Sequence, residues 1–222
     1  MNSTMSNAAR PLPQAPGMPL SICGLLLRLR ERNGRSQRTR TIETPSRTSN
    51  AMKDSGMTLK VTTPTDREIL MTRTFDAPRN LVFETLTQPD LLEHWFGVFG
   101  GWSLAVCKVD LKVGGAYRFV WRDLDGKRMG MGGVYRDVVP PERYVGTESF
   151  DDPRYPGEAL GTTVLVEQGG RTTVSHTIRY ESKAIRDAVL RTRMEHGVAA
   201  SYDKLANLLA STQRSRGSRT EL

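Results

Sequence analysis

Alternation of hydrophobic and polar positions begins at Ile69. Ile69, Met71, Arg73 and Phe75 share one parity, which predicts a strand with an imperfection at Leu70. Ala77-Pro78 then turns the chain, and Pro78 suits a first helical turn because its missing N–H is not needed there. Leu81, Val82 and Leu86 give a short apolar face. Pro89 restarts a second short helix bearing Leu92, Trp95 and Phe96. The middle of the chain reads as strand throughout: Ser103 to Asp110, Ala116 to Trp121, Met129 to Val138, Tyr144 to Phe150, Thr162 to Glu167 and Thr172 to Tyr180. Tyr117, Phe119 and Trp121 share one face, with Arg118 and Arg122 on the other. Asp123 to Lys127 reads as a hairpin turn in which Asp-Gly supplies the positive φ. Gly130, Gly132 and Gly133 inside a strand predict a bulge or sharp bend. Val174, His176, Ile178 and Tyr180 share one parity of the last strand. Ser182 caps a single long helix with the inward stripe Ile185, Val189, Val198, Tyr202, Leu205 and Leu209. Roughly 30 residues make this helix about 45 Å long, enough to cross a sheet. Gly197 interrupts it at a cost of about 1 kcal/mol against Ala, which predicts a kink or a close approach. A strand, a broken helix, a run of strands and a long terminal helix predict an antiparallel sheet wrapped around that helix, with a cavity between them.

Charge changes the picture of the ends. The 222 residues carry a net +8, but residues 1–53 hold +7 and residues 214–222 hold +2, which leaves −1 for residues 54–213. The basic character belongs to the termini, so no specific nucleic-acid partner is read from it. Residues 1–65 are rich in Pro, Ser, Thr, Asn and Arg without a sustained period. They read as a disordered basic tail or an overextended start, with Met52 or Met57 as alternative initiators. An Arg-rich, acid-poor organelle transit peptide is the alternative. The segment lacks Phe, Trp and Tyr, hence stacking platforms for single-stranded nucleic acid. Residues 213–222 read as a flexible basic C-terminus. No apolar run reaches the roughly 18–20 residues that span a bilayer. Cys23 and Cys107 have no paired spacing, so a reducing, cytoplasmic setting is expected.

Candidate chemistry is sparse. GMGGVY at Gly130 lacks the third glycine of a dinucleotide loop and precedes no helix. Asp123 and Asp125 lack the later acidic ligand of a calcium loop. His94, His176 and His196 form no ligand pair. No catalytic residues, metal or cofactor are therefore assigned. His176 stands out, because it lies on the apolar parity and faces the helix. It reads as a neutral core imidazole or as a polar contact or general base in the pocket.

Four blocks in order carry a family resemblance. The first is Arg73, Phe75, Ala77-Pro78, Val82-Phe83, Thr87, Pro89, Leu92 and Trp95-Phe96-Gly97. Asp110-Leu111-Lys112, Gly114-Gly115 and Tyr117-Arg118-Phe119 form the second, and Gly133-Val134-Tyr135 with Pro140-Pro141-Glu142-Arg143 the third. Met194, Gly197 and Ser201 to Leu205 form the fourth. Together, over about Arg67 to Ala210, they resemble the activator of heat shock protein 90 ATPase homologue family, within the START-like (SRPBCC) helix-grip superfamily. The resemblance implies an α+β domain over residues 66–212: a curved antiparallel sheet gripping the C-terminal helix, two short helices after the first strand, and an apolar pocket. It fixes no catalytic residue. Members include co-chaperone domains, lipid or metabolite carriers, and polyketide cyclases or aromatases.

The reading of the function is non-catalytic binding of a small hydrophobic or amphipathic molecule between sheet and helix. Trp95, Phe96, Trp102, Phe119 and Trp121 are expected to wall the pocket, with Met131, Tyr135, Ile178, Gly197 and Tyr202. His176, Arg118 or Tyr135 is expected to orient a polar end. The alternatives are a chaperone partner whose ATPase is stimulated, and a cyclase-like enzyme using His176.

Overall fold

In a computed structural model, residues 56–97, 101–151 and 157–220 are described. Most of the segment read as a basic tail thus lies outside the described residues. Eight strands form one open sheet in the order β1-β2-β8-β7-β6-β5-β4-β3, every neighbouring pair antiparallel. They are β1 Lys60–Thr62, β2 Glu68–Phe75, β3 Ser103–Val109, β4 Ala116–Arg122, β5 Arg128–Val139, β6 Arg143–Phe150, β7 Ala159–Gln168 and β8 Arg171–Arg179. Two short helices, α1 Arg79–Thr87 and α2 Pro89–Leu92, follow β2, and α3 Lys183–Arg191 and α4 Met194–Thr220 follow β8. The α+β architecture is the helix-grip expected, a curved sheet facing a long C-terminal helix.

The buried parity of β2 is the one that the sequence displays: Ile69, Met71, Arg73 and Phe75 point inward. Arg73 is kept there by Asp203 of α4, its Nη1 donating at 2.7 Å, and by the Phe75 ring 5.4 Å from its guanidinium carbon. This contact ties the first long strand to the terminal helix. Phe75, Trp95, Trp121, Val174, Tyr202, Leu205 and Leu209 belong to the main core. Ile69, Met71, Ile178, Tyr180 and Met194 form a second cluster beneath α3.

Four features depart from the sequence reading. The terminal helix is two helices: Arg193 sits at φ 55, and the Thr192 hydroxyl donates to the Val189 carbonyl at 2.6 Å. The nine-residue gap between Val189 and Val198 in the apolar stripe is the trace of that break: α3 packs on the second cluster, while α4 spans both, with Met194 in the second and Tyr202, Leu205 and Leu209 in the main core. Gly197, expected to mark a kink or a close approach, lies within α4 four residues past the break and is buried. Strand β1 lies inside the segment read as tail, pairing Val61 with Met71, and three residues are too few to show a period. At the other end α4 runs to Thr220 through residues read as flexible, with Arg216 reaching Glu84 at 3.2 Å. Finally, β4 and β5 pair without interruption past Gly130, Gly132 and Gly133, and the register shift falls between Tyr135 and Asp137. A Cβ on Gly133 would lie 1.8 Å from the Thr147 carbonyl oxygen. Close backbone approach, rather than a bulge at that place, requires Gly132 and Gly133, while Gly130 makes room for the Arg118 and Asp151 side chains.

Candidate functional site

Between the concave face of the sheet and α4 lies a cavity of about 170 Å³. Strand register shows how it is made. Across the middle of the sheet, Tyr144 of β6 pairs with Thr163 of β7, and Thr163 with His176 of β8. Two residues along, Gly146 pairs with Gly161, and Gly161 with Ile178. Two further along, Glu148 pairs with Ala159. Side chains on one parity face one side of a sheet, so two adjacent glycines leave a trough between a Tyr-Thr-His row and the Glu148 row. A Cβ on Gly146 would touch the Tyr117 and Tyr135 rings, each at 3.5 Å. One on Gly161 would lie 3.2 Å from His176 Cε1 and 3.8 Å from Nε2, so that edge of the imidazole overhangs the trough.

The roof comes from α4, where Met194, Val198, Ser201 and Tyr202 line the cavity at helical spacing. The far wall is an unbroken series of ring contacts. Trp95 meets Phe96 at 5.3 Å between centroids, and Phe96 meets Phe119 at 5.1 Å. Phe119 then meets Tyr117 at 5.4 Å, Tyr117 meets Tyr135 at 5.2 Å, and Tyr135 meets Tyr144 at 6.1 Å. Trp95 is fixed from behind by its Nε1, which donates to the Thr85 carbonyl of α1 at 3.0 Å.

Polar groups are few and unequal. Thr163 Oγ1 lies 2.8 Å from His176 Nδ1 and also bonds the Tyr144 phenol. Burial drives the His176 pKa down to about 4, so the ring is neutral at physiological pH. Burial likewise holds the Tyr117, Tyr135 and Tyr144 phenols above their ordinary value, and the Tyr117 hydroxyl donates to the Thr147 carbonyl at 2.6 Å. Glu148 is pushed up to about 7 by burial alone. The Ser201 hydroxyl, in a residue only 4% exposed, has no hydrogen-bond partner among the described residues. Cys107 lies outside the cavity, with its thiol directed at the Pro89 carbonyl and pushed up to about 11 by burial and then by Glu93 and Asp90. It is a poor nucleophile.

Of the residues picked out in the sequence, eight line this space: Trp95, Phe96, Phe119, Met131, Tyr135, His176, Ile178 and Tyr202. Trp102, Trp121 and Gly197 do not. Trp121 is 0% exposed beyond the end of the cavity, where its Nε1 donates to the Phe96 carbonyl at 3.1 Å. Trp102 is half-buried against the main core. Arg118 faces the outer side and is bound by both guanidinium nitrogens to Asp151, so it is not available to orient a ligand. Glu148, Ser201, Thr163 and the paired glycines escaped the sequence reading. The parity Tyr144, Gly146, Glu148, Phe150 on β6 is the signal that places Glu148 inside; nothing in the sequence aligns Gly146 with Gly161. Among the described residues no cluster of His, Cys, Asp and Glu could hold a metal ion. No helix among them is long and apolar enough to cross a membrane.

Residues 76–210 match the family described as activator of Hsp90 ATPase homolog 1-like protein. Comparison with curated proteins finds no match. Among solved structures, a crystal structure of a Rhodobacter sphaeroides protein is 27% identical, with a TM-score of 0.66, covering 69% of this chain and 99% of that one. One from Chromobacterium violaceum is also 27% identical, at a TM-score of 0.57, with 65% of this chain and 98% of that one covered. A Nitrosomonas europaea protein, 23% identical with a TM-score of 0.60 over 68% of this chain and 99% of that one, shares the fold.

Proposed function

We propose, from the premise that this chain belongs to the activator of Hsp90 ATPase homolog 1-like family, that its cavity binds a small, largely apolar molecule without transforming it. The observation that carries the proposal is the glycine trough: Gly146 and Gly161 side by side beneath α4, where ordinary side chains would close the interior. An engineered apolar cavity of about 150 Å³ takes up benzene, so about 170 Å³ accommodates one or two rings rather than a long acyl chain. Burying roughly 200 Å² of ligand apolar area contributes about 5 kcal/mol, a dissociation constant on the order of 0.1 mM before polar contacts. The binding role is favoured over catalysis by His176, which is neutral and whose Nδ1 is held by a threonine rather than by a carboxylate. Stimulation of a chaperone ATPase rests on the family description alone, whereas the cavity is a feature of this chain.

Filling the trough tests the proposal. A Cβ at Gly146 meets its neighbours at ordinary contact distance, so Gly146→Leu is expected to fold and to occupy the space a ligand needs. Naphthylmethanol should raise the melting temperature of the unmodified chain and leave that of Gly146→Leu unmoved. Equal shifts in the two chains, or no shift with the unmodified chain, would contradict the proposal.

A further inference from the structure

We propose that the cavity selects a positively charged ligand, a one- or two-ring amphipathic amine whose ammonium group is received by Glu148. The inference rests on the cavity-binding reading above and narrows it.

Among the described residues, no Lys or Arg lines the cavity, and its ionisable groups are Glu148, His176 and tyrosines. Among them, too, Glu148 makes no hydrogen bond and no ion pair. Two arginines of the same sheet are engaged elsewhere: Arg118 is taken by Asp151 on the outer face, and Arg73 by Asp203. A carboxylate facing an apolar space without a partner is costly, and the cost is relieved by a proton or by a cation. An ammonium brings both charge and hydrogen bonds. A carboxylate ligand would instead place a second negative charge beside the first, with no cation to balance either.

Two independent features agree. Tyr117, Tyr135 and Tyr144 stand in a contiguous series on this part of the lining, and the face of an aromatic ring attracts a cation. From the opposite side α4 supplies the Ser201 hydroxyl, buried and without a partner among the described residues, ready to accept a hydrogen bond from an ammonium N–H or to bond a polar substituent.

The test is a matched series on the full chain: naphthylmethylamine, naphthylmethanol and naphthoic acid, titrated calorimetrically at about neutral pH. These share one ring system and differ in charge. The amine is expected to bind at least tenfold more tightly than the alcohol, and the acid at least tenfold more weakly than the amine. In Glu148→Gln the advantage of the amine over the alcohol should vanish. The proposal is overturned if the acid matches the amine, or if the amine keeps its advantage in the variant. Binding of the alcohol with no gain for the amine removes the charge inference alone. Binding by none of the three removes the cavity reading with it. The comparison within the unmodified chain decides the question even if the variant fails to fold.

Discussion

Trp121→Ala is expected to destabilise the protein by about 3–5 kcal/mol, the range for truncating a large buried aromatic side chain. Trp121 is fully buried, and its ring contacts Phe96 at 5.3 Å and Phe119 at 6.0 Å between centroids. It also sets the chain that follows α2. Gly97 has φ 70, and a Cβ there would lie 2.3 Å from Trp121 Nε1, while that nitrogen holds the Phe96 carbonyl. The tryptophan and the glycine thus fit one turn, which delivers Trp95 and Phe96 to the end of the cavity. Loss of the ring opens space beneath Phe96 and frees the turn. Chemical denaturation should show the lower stability, and the melting temperature should fall by roughly 10 °C. A change under 1 kcal/mol would mean that the turn is held by something else.

Glu148→Gln is expected to stabilise the unliganded protein at alkaline pH, the reverse of what loss of a native interaction does. The sign follows from the raised pKa. In the unfolded chain this carboxyl ionises near its ordinary value of 4.5, and in the folded protein near 7. Its contribution to stability is therefore fully present below about pH 4.5 and is lost as pH rises through about 7. The loss amounts to about 3 kcal/mol by about pH 8, and glutamine escapes it. His176 works in the other direction, since its lowered pKa preserves stability above about pH 6.5 and forfeits it as pH falls towards 4. The two slopes oppose each other in the unmodified chain around pH 5–6. In Glu148→Gln the histidine slope should stand alone, with stability rising over that interval. Apart from His176, the ionisable groups that line the cavity with Glu148 are the phenols of Tyr117, Tyr135, Tyr144 and Tyr202, and among the described residues α4 presents no Lys, Arg, Asp or Glu to it. All remain in both chains, so they cancel in the difference. Denaturant titrations of the two proteins across about pH 4–8 would show it; parallel curves would rule out a shifted Glu148.

Much of the fold was legible because it is written in period. The alternation of Ile69, Met71, Arg73 and Phe75, and the faces of β4 and β8, are properties of consecutive residues. So are the two prolines that start the short helices. The break at Arg193 was harder to see, because α3 and α4 each satisfy helical spacing and the second cluster continues across it from Val189 to Met194. Eight of the lining residues were found for the simple reason that core and cavity walls draw on the same apolar parity. Trp121 shares that parity and lies outside the lining: parity identifies the face of a sheet, not the point along it where the cavity ends. The groups that give the site its character were invisible for a different reason. The glycine trough exists only when β6 and β7 are placed in register, and the isolation of Glu148 is a property of everything around it.

Three methionines make the central claim directly measurable. Met71, Met131 and Met194 line the cavity from β2, β5 and α4, whereas Met57 lies away from it. With methyl-labelled methionine in the full chain, titration with naphthylmethanol should shift the methyl resonances of Met71, Met131 and Met194 together and saturably, leaving Met57 in place. Shifts confined to Met57, or none at any of the four, would contradict a ligand held between sheet and helix.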